Sequence, residues 1–420
     1  MTPRKPALLP WLIWTLSALF VVFNYIQQVV PNVIAADLSR AFNAGAGTLG
    51  VIASTYFYAY ACLQIPVGLI VDRFGVRRCL VLAILAAGFG TIGFSRVNGA
   101  GGAQLARLVM GASFAFSFIG CLKLVEEWFP ASQFSTLAGM TNTAGMVGAA
   151  AGAPVAILVK NIGWRASVGG MGGCELLLAV LVLLIVRDSG KAEAASAPAA
   201  GPATGHWQAV LRNPQVWINA TYATTISLVF VAFGGLWGSS YIQKVYGLSS
   251  VEAAGSTSLL FIGGIAGSLF FGWFSDFLRR RKPPMVLAGV GALGAMAGML
   301  YLPVPLILFK AGLFAVGFFS SANIISYAVA RDLFPRAAGF SIGLLSTCYY
   351  AGSATSQPLV GFFLDRASPS GLAALTPADY RFAMSPLVIF MAIGLIAALL
   401  IRETMEPAAS PSDDLQPVEL

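Results

Sequence analysis

Charge is what this sequence has least of. Only 10% of its 420 residues are Asp, Glu, Lys or Arg, against about 25% in an average soluble domain. Apolar residues make up 57% of the chain and its mean hydropathy is +0.79. A soluble globular fold is excluded, and so is a disordered chain, which needs high net charge and few apolar groups. Histidine is almost missing: His206 is the single one. That excludes a His-based catalytic triad, a pair of haem ligands and an HExxH zinc site. The five cysteines, Cys62, Cys79, Cys121, Cys174 and Cys348, stand singly in apolar runs with no CxxC. They form neither a zinc site nor a disulfide framework. There is no nucleotide-binding loop. The 46 glycines show no every-third-residue period, which excludes collagen. No metal, no cofactor and no enzymatic activity are expected. The net charge of +8 fits basic loops at a membrane surface, and no nucleic-acid partner is expected.

What is present is a series of long apolar segments, each near the ~20 residues that cross a bilayer. Arg4 and Lys5 precede a run from Trp11 to about Val30, too long for a signal-peptide core and read as a retained first span. Others follow at roughly 47–71, 78–96, 103–127, 134–159 and 165–186. A stretch rich in Ala, Pro, Gly and Ser from Asp188 to Gly205 interrupts them. Six more lie at about 215–242, 251–275, 284–303, 305–330, 338–363 and 383–401. The expected architecture is an all-α integral membrane protein with 12 transmembrane helices in two six-helix bundles. Residues 1–187 form the N-terminal bundle, 188–213 a cytoplasmic linker, 214–402 the C-terminal bundle and 403–420 a cytoplasmic tail. With both termini cytoplasmic, fifteen Lys and Arg lie inside and seven outside, as the positive-inside rule requires.

The halves are related. Gly68 and Gly272 are 204 residues apart, as are Asp72 and Asp276; Phe129-Pro130 and Phe334-Pro335 are offset by 205. Six spans per half give both halves the same orientation, the parallel duplication seen in transporters with a midplane site.

The stretch Gly68-Leu69-Ile70-Val71-Asp72-Arg73-Phe74-Gly75-Val76-Arg77-Arg78 resembles the signature loop between spans 2 and 3 of the major facilitator superfamily. Gly272-Trp273-Phe274-Ser275-Asp276, followed by Arg279 to Lys282, is its degenerate echo. The resemblance implies a fold of two bundles that rock about a central site. It also implies a cytoplasmic latch of Gly68, Asp72, Arg73, Gly75, Arg77 and Arg78, with Asp276 in the second half. On physical grounds Gly68 is expected to let span 2 approach a neighbour closely, and Asp72 to sit at a helix N-terminus and pair with nearby arginines. Arg107-x-x-x-Gly111 matches a second family pattern, an arginine in span 4 that faces the cavity. The Gly148-x-x-x-Gly152-x-Pro154 of span 5 departs from the longer Gly-Pro motif of the family's drug–proton antiporters.

Ionisable groups within spans are costly and are candidates for function. Arg107 and Lys123 are the cations of span 4; Lys123 either faces the cavity or reaches the cytoplasmic surface and pairs with Glu126 and Glu127. Glu175 is the one clear intramembrane carboxylate and the candidate for proton coupling. Polar uncharged residues cluster on the spans that line the family's cavity. Span 1 carries Asn24, Tyr25, Gln27 and Gln28, and span 2 carries Tyr56, Tyr60 and Gln64. Span 7 carries Tyr222 and Trp237, span 10 Asn323 and Tyr327, and span 11 Tyr349, Tyr350 and Gln357. Intramembrane cations outnumber the carboxylate, which favours an anionic solute. The expectation is a secondary active transporter of the bacterial inner membrane, monomeric, moving a small polar or anionic organic solute by alternating access with proton-coupled import. Export of a metabolite, siderophore or drug-like compound is the alternative, followed by a non-transporting membrane receptor.

Overall fold

A computed structural model describes residues 8–130, 133–187, 206–368 and 374–405, and no strand occurs among them. Apolar side chains in lipid leave the backbone to satisfy its own hydrogen bonds, and helices do so within one segment. The first half contains α1 (Leu8–Phe42), α2 (Ala46–Phe74), α3 (Val76–Arg96), α4 (Ala100–Trp128), α5 (Phe134–Ala149), α6 (Gly152–Ile162) and α7 (Trp164–Ile185). The second begins with α8 (His206–Arg212) and α9 (Pro214–Val229), a π-helical stretch (Phe230–Trp237) and α10 (Gly238–Tyr246). It continues with α11 (Ser250–Phe277), α12 (Lys282–Tyr301), α13 (Leu306–Ser320), α14 (Ile324–Leu333), α15 (Ala338–Ala367) and α16 (Pro377–Leu400).

Eleven helical segments among the described residues are long and apolar enough to cross a membrane. Three are composite: α5–α6, α9–α10 and α13–α14. The 30-residue α15 is not among the eleven, because Ser341, Ser346, Thr347, Ser353, Ser356 and Gln357 dilute its apolar content. The last part of the expected linker, 206–212, folds as α8. The rest of the linker, with Lys191, the tail beyond 405, and Arg4 and Lys5 lie outside the described residues.

Local chemistry sets the element boundaries. Gly75 adopts φ +84° between α2 and α3, a conformation that side chains disfavour, so the two helices join without a loop. Reciprocal capping boxes start α11 (Ser249 with Glu252) and α16 (Thr376 with Asp379). Pro154 has no N–H for the carbonyl of Ala150, which helps separate α5 from α6.

Within the first half, α3 packs on α4 and α7, α2 on α4, and α1 on α4 and α5. Within the second, α11 and α12 pack on α13, and α16 on α9 and α12. The halves meet where α2 runs along α15, α1 along the π-helical stretch, and α5–α6 along α11. Gly50 permits the α2–α15 contact: a Cβ there would lie 2.7 Å from the Gln357 carbonyl oxygen. The close approach expected at Gly68 is not seen among the described residues: outside its own turn of helix, no atom lies within 4 Å of where its Cβ would stand.

Candidate functional site

A cavity of about 110 Å³ lies between the halves. The first half lines it with Tyr25 and Gln28 of α1, Phe57 of α2, and Asn142 and Met146 of α5. The second contributes Phe230, Val231 and Gly235 of the π-helical stretch, Phe261, Asn323, Tyr327, Tyr349 and Tyr350. Tyrosine rings join its walls. Tyr60 meets Tyr350 across the halves with ring centroids 4.2 Å apart, and Tyr349 meets Tyr350 edge-on at 4.8 Å. None of the lining residues is charged. Of the residues read from sequence as substrate-binding, Tyr25, Gln28, Asn323, Tyr327 and Tyr349 line the cavity, and Tyr60 stands beside it.

A polar layer lies behind the α1 wall. Gln28 donates to the Asn24 Oδ1 at 2.8 Å, the Tyr56 hydroxyl donates to the same oxygen, and Asn24 Nδ2 donates to Ser117 Oγ at 2.9 Å. Arg107 stacks on the Tyr56 ring, its guanidinium carbon 4.6 Å from the centroid. It is 1% exposed. Its Nη1 donates to the Gln27 carbonyl at 2.8 Å and its Nη2 to the Ala53 carbonyl at 3.3 Å, while Nε has no partner. Among the described residues no carboxylate reaches ion-pairing distance of Arg107. The cation is therefore desolvated and only partly compensated, a costly arrangement for a purely structural group.

Gln27 links that cation to the buried acid. Its side-chain amide donates to Glu175 Oε1 at 2.9 Å, and Thr91 Oγ1 donates to Oε2 at 2.8 Å. Glu175 is wholly buried. One residue thus accepts from Arg107 with its main chain and holds Glu175 with its side chain. Gln27 is visible in the sequence as one polar residue of a cluster; Thr91, alone in the apolar stretch of α3 from Leu80 to Phe94, carries no such signal. Asn142 stands between Thr141 and Thr143 on α5, a polar triplet that the sequence does show, whereas Phe57, Phe230 and Phe261 are not distinguishable among 29 phenylalanines.

Several residues are placed elsewhere. Lys123, grouped above with the binding residues, instead pairs with Asp72 at 2.9 Å and approaches Glu126 at 3.7 Å. Asp72 thus takes a lysine of α4 as its partner rather than the arginines of its own loop. Arg77 donates to the Leu183 carbonyl of α7 at 2.7 Å, and Arg73 lies over Phe74; Arg78 is exposed. Tyr222 donates to the Met285 carbonyl at 3.3 Å, inside the second half. Trp237 Nε1 donates to the Gln357 carbonyl at 3.1 Å, and Gln357 Nε2 to the Val231 carbonyl at 3.0 Å. These last two bonds brace the π-helical stretch against α15, and the second serves a backbone carbonyl of that stretch, at Val231. In the second half Arg281 is buried and pairs with Asp276 at 2.7 Å and Asp332 at 3.3 Å. Glu403 closes this cluster, accepting from the backbone N–H of Arg281 at 2.7 Å and of Lys282 at 3.1 Å.

Eleven membrane-length helical segments among the described residues, with a cavity walled by both halves of the chain, describe a multi-pass membrane protein. The family profile of the Major Facilitator Superfamily matches residues 17–356 and 256–418, and the chain belongs to that superfamily of secondary transporters. It is a transporter, not an enzyme, and a multi-pass membrane protein; in bacteria its place is the inner membrane. It is 26% identical over 409 residues to the probable galactarate/D-glucarate transporter GudP of Bacillus subtilis, covering 87% of this chain and 88% of that protein. It is 23% identical to the D-galactonate transporter of Escherichia coli O6:H1, over 94% of this chain and 95% of that one. With the probable sulfoacetate transporter SauU of Cupriavidus necator it shares 23% identity, over 81% and 84% of the two chains. Among solved structures it superposes on a bacterial homologue of the lysosomal transporter Spinster, inward-facing and occupied. The TM-score is 0.79 at 15% identity, over 94% of this chain and 97% of that one. For a D-xylose–proton symporter the TM-score is 0.74 at 17% identity, over 94% and 98% of the chains.

Proposed function

We propose that this chain is a proton-coupled importer of small organic acids, working by alternating access of two six-helix bundles with both termini in the cytoplasm. The observation that carries the reading is Arg107, a buried guanidinium without a carboxylate partner, one layer behind a cavity walled by both halves. Such a group favours a negatively charged ligand that completes its pairing. The Tyr56–Asn24–Gln28 chain connects its surroundings to the cavity wall, and the carboxamides and tyrosine hydroxyls there suit the hydroxyl groups of a sugar acid. The relatives named for galactarate, glucarate, galactonate and sulfoacetate support the same class. In this reading α15 is the twelfth span and Glu175 carries the coupling proton. The cavity, at about 110 Å³, is well below the ~300–1,000 Å³ of pockets for drug-sized ligands, which favours a small solute over a drug.

The test is a thermal-shift screen of purified protein against aldarates, aldonates, sulfonated acids, neutral sugars and lipophilic cations. A ligand that binds the folded state raises the melting temperature by mass action. A shift with an acid that disappears in Arg107→Ala supports the reading. A shift with lipophilic cations alone, or an acid shift unchanged in Arg107→Ala, overturns it.

A further inference from the structure

The end of the molecule away from the basic loops carries a cross-half contact that no reading of the spans foretells. Asp365, near the C-terminus of α15, places its carboxylate on the first turn of α2. Oδ1 accepts from the Ala46 N–H at 2.6 Å and Oδ2 from the Gly47 N–H at 2.7 Å. Those amides are among the four that a helix start leaves without an intrahelical partner, at the positive end of its dipole. The segment Gly45-Ala46-Gly47-Thr48-Leu49-Gly50 has the Gly-x-Gly-x-x-Gly spacing of an anion cradle. No strand precedes it, and the anion it holds is the protein's own. A Cβ on Gly45 or on Gly47 would lie 2.8 Å from a carboxylate oxygen, so both glycines keep the seat open. At the same end, Asn32 of α1 accepts from the Ser239 N–H at 2.8 Å, just past the π-helical stretch.

The opposite end is arranged differently. There Asp72 pairs with Lys123 inside the first half, and Arg281 with Asp276 and Asp332 inside the second. Among the described residues, Asp365 and Asn32 thus bridge the halves at one end, whereas Asp72 and Arg281 at the other pair within their own half. We infer that Asp365 is a positioning residue for transport: its carboxylate, seated on the α2 N-terminus, holds the non-cytoplasmic end shut, and its release is required for that end to open. The inference rests on the alternating-access reading above. It concerns a conformational equilibrium and places no part of Asp365 in substrate binding.

The experiment is pulsed electron–electron resonance on spin-labelled full-length protein in nanodiscs, with the native cysteines replaced. One label pair, at Asn43 and Ala367, reports the Asp365 end. A second, at Phe74 and Phe277, reports the basic end; all four positions are exposed. Asp365→Asn removes the charge and one acceptor, whereas Gly47→Ala keeps the charge and crowds its seat. Both variants are expected to raise the population with a long Asn43–Ala367 distance by about tenfold, with the Phe74–Phe277 distance shortening in step. If Asp365→Asn does not fold, Gly47→Ala carries the test. Two populations in the parent whose ratio neither variant moves would overturn the role of Asp365 and leave alternating access standing. A single population at both ends in every variant and at every pH would overturn alternating access itself, and Asp365 with it.

Discussion

Arg107 and Glu175 are the two buried charges of the first half, and Gln27 is their shared neighbour. In the proposed reading each has a distinct duty. Arg107 lies against the polar layer that backs the cavity, whereas Glu175 lies one helix farther out, bonded to α1 and α3 and away from the lining. An acid in that position has no reach to a solute, but a change in its protonation alters the hydrogen bond with Gln27 and so the segment of α1 that holds Arg107. Glu175→Gln is therefore expected to reduce uptake driven by a proton gradient at least tenfold and to leave solute exchange at equal pH on both sides within about twofold. Radiolabelled uptake and counterflow in the same proteoliposomes measure both. Equal loss in the two assays would make Glu175 a structural group. Trp237, Tyr222 and Gln357, read from sequence as binding residues, lie outside the cavity lining for one shared reason. A Trp, Tyr or Gln on a helix face has the same spacing whether it meets solute or a neighbouring carbonyl, and the bonds of Trp237, Tyr222 and Gln357 to backbone oxygens depend on a partner helix more than 60 residues away.

At the scale of elements, the charged groups of the second half act as a staple. Glu403, just past α16, caps the start of α12 by accepting from Arg281 and Lys282. Partial burial acts against its charged form, but the N–H groups of Arg281, Lys282, Met405 and Thr404 outweigh it and hold the carboxyl below the usual glutamate range. A lowered value in the folded state adds stability that is fully present above about pH 4.3, the ordinary glutamate value, and is lost as the pH falls through the lowered one. Glu403→Gln is expected to lower the melting temperature by about 1–3 °C at pH 7, with the difference from the parent shrinking below pH 4. A difference of the same size at pH 3.5 and pH 7 would show that the charge is not the cause. Helix positions were largely legible in the sequence, because apolar length and Gly, Pro and charged punctuation mark where chains enter and leave lipid. The interruptions were not. The π-helical stretch at 230–237 and the 3₁₀ turn at 321–323 change hydrogen-bond register without changing hydropathy, and both supply residues to the cavity wall.

At the scale of the whole molecule, the pairing of Asp72 with Lys123 gives its loop a defined partner in the state described here. An exposed pair of this kind adds little stability, which suits a contact that is exchanged during a cycle. Asp72→Asn is accordingly expected to slow transport about tenfold or more while changing equilibrium solute affinity less than twofold, as initial uptake rate and thermal-shift titration would show. Matched losses in both would place Asp72 in binding rather than in motion. Central tyrosines from both halves and glycine-mediated contact of α2 with α15 form the interface between the halves, with the Asp72–Lys123 and Arg281–Asp276–Asp332 pairs each inside its own half.

The staple on Arg281 also bears on biosynthesis. Glu403 is made 122 residues after Arg281, an interval of roughly 6–24 s at ribosomal speeds of about 5–20 residues per second. During that time the backbone N–H groups of Arg281 and Lys282 stand without the acceptor they have in the folded protein. The first turn of α12 therefore gains its Glu403 acceptor only after the last described helix, α16, has been made.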